Sequence, residues 1–68
     1  MMKISVRNNY TLEIVKEKII AAISLADLVA YLKRVESLLE HFGYKTTWLG
    51  DWHLIVFKGA EAYSITRF

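Results

Sequence analysis

Two imidazoles, His41 and His53, are the only side chains of this 68-residue sequence that ordinarily titrate near neutral pH, and cysteine is absent. Thiolate zinc sites, iron–sulfur clusters, thiol nucleophiles and disulfide scaffolds are thereby excluded. A metal centre built on imidazole still needs three or four ligands that converge. Glu40 is next to His41 in sequence, so on a helix the two point to different faces. His41 reads as a favourable partner for a helix C-terminus, and His53, set opposite Trp48, as a partly buried structural imidazole. No metal and no cofactor are expected. Ser5, Ser24, Ser37 and Ser64 lack the oriented base that would activate a nucleophile. Asp51 and His53 could exchange a proton, but no companion residues bind a substrate beside them. No GxGxxG, P-loop or HExxH motif occurs, and Gly43, Gly50 and Gly59 stand singly as turn punctuation. The chain reads as a non-enzyme with no small-molecule substrate.

What remains is a set of apolar and basic residues suited to contact. Leu49, Trp52, Leu54, Val56 and Phe68 form a candidate apolar centre, with Lys45, Lys58 and Arg67 as a basic rim. Tryptophan and tyrosine are favoured at interface hot spots. The same aromatics and cations could stack bases and neutralise phosphates. Charge placement argues against that use. Nine basic and seven acidic side chains give a net charge of +2, interleaved along the chain with no run of like sign. The flanking aliphatics suit a dry contact better than a wet one. Neither an RRM-type aromatic strand nor a basic recognition helix is present.

These residues need elements to hold them. A helix is expected over 24–42, with Ser24 as N-cap and Asp27 in the capping-box position. Leu25, Leu28, Leu32, Val35, Leu39 and Phe42 recur every three or four residues as one stripe, with charged residues opposite. Gly43 ends it. Three strand-like runs follow, at 44–49, 52–58 and 62–68. Gly50-Asp51 suits a two-residue hairpin turn and Gly59 a wider loop. That pairing puts Tyr44, Trp48, Ile55, Phe57, Tyr63 and Ile65 beneath the helix. It turns Lys45, Thr47, Leu49, Trp52, Leu54, Val56, Ser64, Thr66 and Phe68 to the other face.

Residues 2–7 alternate as a strand, and Asn8-Asn9 marks a turn. A second strand over about 10–16 pairs Val6 with Leu12 and Ile4 with Ile14, which sorts apolar from polar side chains. A helix through Leu12, Val15, Ile19 and Ala22 competes for the same residues. The architecture is therefore a single α+β domain over 1–68. A small antiparallel sheet, β-β-α-β-β-β or β-α-α-β-β-β, packs on one main helix.

A mean hydropathy of +0.25 is high for so small a domain. Small chains have proportionally more surface, so apolar residues are left outside the core. The apolar stretch Ile19–Leu32, about 14 residues broken by Ser24 and Asp27, is shorter than the ~20 a membrane span needs. With no signal-type segment at its start, the chain reads as cytoplasmic with no membrane partner. The expected role is stoichiometric: a regulator or inhibitor, of the size found among phage and mobile-element proteins. It would occupy a surface of a larger protein or ribonucleoprotein, or pair with itself as a homodimer. Nucleic-acid binding through the aromatic and basic sheet face is the alternative. One circumstance would remove the interface altogether, namely residues 1–23 folding across the open face of the sheet.

Overall fold

The computed structural model describes residues 1–67, and Phe68 lies outside them. Its elements are β1 (Met2–Asn8), β2 (Ile14–Ile20), α1 (Leu25–His41), β3 (Lys45–Trp48), β4 (Leu54–Lys58) and β5 (Glu61–Arg67). The five strands form one antiparallel sheet in the order β2-β1-β5-β4-β3, with α1 on one side. Of the two expected orders, the one with an N-terminal hairpin is the one adopted. No helix among the described residues is long and apolar enough to cross a membrane.

Both ends of α1 are built as their residue types dictate. Ser24 Oγ accepts from the Asp27 N–H at 3.2 Å, and Asp27 Oδ2 accepts from the Ile23 N–H at 3.1 Å. The second bond reaches one residue beyond the N-cap. Hydrogen bonding from Ile23 and then Ser24 holds the Asp27 carboxyl below its ordinary pKa. At the other end Gly43 takes φ +90°, with its N–H on the Glu40 carbonyl and the Tyr44 N–H on the Leu39 carbonyl. This double bond pattern, with Phe42 as C-cap, is a Schellman closure.

The helix lies over β3 and β4. Leu28, Leu32 and Leu54 are fully buried between the layers, joined by Ile4, Ile20, Ala22, Val56 and Ile65. Trp48 Nε1 donates to Glu36 Oε2 at 2.7 Å, which ties β3 to the helix through a charge-assisted bond. The predicted stripe is buried only in its middle. Leu25 and Phe42 remain 39% and 69% exposed, because the sheet beneath α1 is shorter than the helix.

The two hairpins after the helix have their turn lengths the opposite way round from expectation. Gly59-Ala60 is the two-residue connection, with Lys58 paired to Glu61, while residues 49–53 form the wider loop. The Leu49 N–H closes that loop on the His53 carbonyl at 2.8 Å. Each error moves the register by one residue. A one-residue slip reverses every side chain of a strand. The two slips cancel for β3, which keeps Tyr44 and Trp48 on the helix side, and only β4 is turned over. Leu54 and Val56 therefore go into the core, and Ile55 and Phe57 come out.

In the N-terminal hairpin β2 starts later than expected, and the helical alternative for these residues is not adopted. Ile4 pairs with Lys18 and Val6 with Lys16, four residues beyond the predicted partners. The cause is the Asn8 side chain. Its Oδ1 accepts from the Tyr10 and Thr11 N–H groups at 2.8 and 3.2 Å, and the loop runs on to Glu13 through Leu12 at φ +63°. Docking on β5, where Val6 pairs with the core residue Ile65, points Ile4 and Val6 to the helix side. Their polar partners are tolerated because β2 is an edge strand at the rim of α1, where Lys16 and Lys18 are exposed and the Lys18 ammonium lies over the Tyr31 ring.

Candidate protein interface

Residues 1–20 do not fold across the sheet. They extend it, with β1 docked antiparallel on β5 through Ile4–Arg67 to Asn8–Tyr63. Among the described residues, no helix or strand therefore covers the face away from α1. Its centre is paved with short side chains: Ser5, Ala62 and Ser64 are buried at 7%, 7% and 3% exposure, with Thr66 beside them. Ser64 Oγ donates to Asn9 Oδ1 at 2.6 Å, which satisfies that buried hydroxyl. On the β4 side rise Ile55 and Phe57, and the 49–53 loop adds Leu49 and Trp52 at that end. On the β2 side rise Ile14 and Ile19, which pair with Arg7 and Lys3. The face is thus a shallow trough between two apolar margins, with the Arg7 guanidinium in it. Around Ser5, Arg7, Ile14 and Thr66 it holds a depression of about 240 Å³.

Two of the sequence-predicted centre residues belong to this surface. Leu49 is 61% exposed and Trp52 46% exposed. Trp52 is held by its main chain, whose carbonyl accepts from Thr66 Oγ1 at 3.4 Å. Leu54 and Val56 do not belong to it, since the turned-over β4 carries them beneath α1. The predicted position Phe68 lies outside the described residues. Of the basic rim, Lys45 sits on the open face opposite Phe57. Lys58 is on the helix side beside Leu39, Tyr44 and Tyr63, and Arg67 borders the depression at the end of β5. Sequence reading missed Ile55, Phe57, Ile14, Ile19 and Arg7. The signal that would have found Ile55 and Phe57 is Gly59-Ala60 as the tight turn, which fixes the parity of β4; Arg7, Ile14 and Ile19 follow only from the docking of β1 on β5.

The titratable residues are dispersed. His41 closes the helix, its ring edge-on to Phe42 at 5.6 Å. His53 lies in the 49–53 loop with Nε2 buried and without a hydrogen-bond partner among the described residues. Glu61 Oε2 accepts from Asn8 Nδ2 at 2.7 Å and from the Tyr63 hydroxyl at 2.8 Å. That bond to Glu61 raises the Tyr63 pKa. This cluster ties the β1–β2 loop to the start of β5. Among the described residues no group of three His, Asp or Glu side chains comes together.

Comparison with known proteins found no matching family model, no matching curated protein and no matching solved structure.

Proposed function

We propose that this protein is a non-enzymatic interaction module that acts stoichiometrically, as a regulator or inhibitor, by laying the open face of its sheet on a larger protein. The observation that carries this reading is the uncovered trough, in which Trp52, Leu49, Phe57 and Ile55 border a floor of small residues. An antiparallel sheet with one helical layer ordinarily turns a polar face to water. Here the face keeps its large aromatic and aliphatic groups at the margins and its short side chains at the centre. That profile accepts a convex apolar surface, and Arg7 and Lys45 favour an acidic one.

The test pairs association with stability. Trp52→Ala and Phe57→Ser are expected to leave the circular dichroism spectrum unchanged and the melting temperature within roughly 4 °C, since both side chains are half-exposed. Both are expected to weaken association, whether with a foreign protein or, by light scattering across a tenfold dilution, with a second copy. Collapse of stability would place Trp52 in the core and remove the reading. Binding to oligonucleotides that falls steeply with salt would replace it by the nucleic-acid alternative.

A further inference from the structure

We propose that the outer edge of β2 is a second docking site, taking an extended segment of a partner protein in which acidic and apolar side chains alternate. β2 ends the sheet, so beyond the register shift at Val15 alternate residues of its 16–20 stretch turn main-chain N–H and C=O groups outward, with no strand among the described residues to receive them. Six of its seven residues are exposed. A strand added there gains main-chain hydrogen bonds, and its side chains select by what they meet.

They meet two different chemistries. On the helix side the incoming residues face Lys16 and Lys18, neither of which makes an ion pair among the described residues, with the Lys18 Nζ 6.0 Å from the centre of the Tyr31 ring. Arg34 joins Lys18 and Tyr31 around one cleft next to that edge, where the two cations outnumber the single acid in its lining, Asp27. A neighbouring cleft of about 160 Å³ lies between the helix and this edge, lined by Ile4 and Val6 of the sheet, Tyr31 and Val35 of α1, and Lys16, Glu17 and Lys18 of β2. On the opposite side they face Ile14 and Ile19, 41% and 62% exposed. The one acid of β2, Glu17, points to that opposite side and is matched by Lys3 at 2.6 Å. Carboxylates on one side and aliphatics on the other are therefore what this edge accepts.

The same residues turn away a second copy of the chain. Ile14–Ile20 reads IVKEKII, nearly palindromic about Glu17. Two-fold antiparallel pairing about that residue sets Lys16 opposite Lys18 twice and Glu17 opposite Glu17. Like charges directly opposite are destabilising. The occupant is a foreign strand.

The experiment titrates the isotope-labelled full chain with two short synthetic peptides, one alternating glutamate with valine and one alternating lysine with valine. Amide shifts are expected in β2 with the glutamate peptide, bound at least about tenfold more tightly than the lysine peptide. Lys16→Glu with Lys18→Glu is expected to reverse that order, and Lys16→Gln with Lys18→Gln to abolish it. Trp52→Ala is expected to leave it unchanged, which separates this site from the open face. Equal binding of the two peptides overturns the proposal. So do shifts centred on Ser64 and Thr66, displacement of the glutamate peptide by a single-stranded oligonucleotide, or a dimer whose contact is β2.

Discussion

Leu12 holds φ at +63° with its side chain 67% exposed, so it adopts a conformation costly for a branched residue while packing against little. The loop accepts this because Asn8 fixes both ends, its carbonyl receiving the Leu12 N–H and its N–H bonding to Glu13. Leu12→Asn relieves the strain without removing core contacts and is expected to stabilise the chain by about 1 kcal/mol in denaturant unfolding. A loss of stability of that size would mean that Leu12 does more than close the loop. Asp27 gives a pH-dependent counterpart. Its folded-state carboxyl lies below the ordinary value of 3.8, so its stabilising contribution is present above that value and lost as pH falls through the lower folded one. Asp27→Asn is expected to be less stable than the parent at neutral pH and to converge with it in acid. Stability curves that stay parallel through the acid limb contradict that account. The capping position of Asp27 was legible beforehand, and the Asn8–Leu12 loop was not, because an asparagine that reorganises five residues looks in sequence like one that makes a tight turn.

At the scale of elements the helix was the most legible part. Ser24, Asp27 and Gly43 mark its ends, and each has the role its type suggests. Gly43→Ala is expected to cost about 1 kcal/mol, since a Cβ there meets nothing within 4 Å and the penalty is confined to the backbone. A neutral result would show that the helix ends without its Schellman closure. The strands were legible as strands, but their faces were not. Gly50-Asp51 and Gly59-Ala60 are both plausible two-residue turns, and the choice between them reverses β4. Burial decides it, because Leu54 pairs with Ile65 and reaches zero exposure under α1. In the N-terminal hairpin the matching of apolar with apolar partners misled. That criterion holds where both faces of a pair are sorted by a core, and only Ile20 of β2 reaches the core, with Lys16 and Lys18 exposed at its rim beside Val6 and Ile4.

At the scale of the whole molecule, 34 × 25 × 19 Å, one helix cannot cover five strands. That limit was readable from length and hydropathy, and it is why an interface was expected at all. What the sequence left open was whether the N-terminal hairpin would close the second face or widen the sheet. It widens the sheet, by docking on β5. The result is a molecule with a cored half beneath α1, an uncovered trough on the reverse and an unpaired strand at one edge. Whether a partner sits in the trough is read out by a photo-crosslinking side chain. It would be placed in turn at position 57 in the trough and at Lys33 on the exposed side of α1. In the organism that makes this protein, position 57 is predicted to yield a discrete covalent adduct with a protein, a second copy of this chain included, and position 33 none. Equal labelling from both positions, or an adduct from position 33 alone, would contradict the assignment of the open sheet face as the surface that binds.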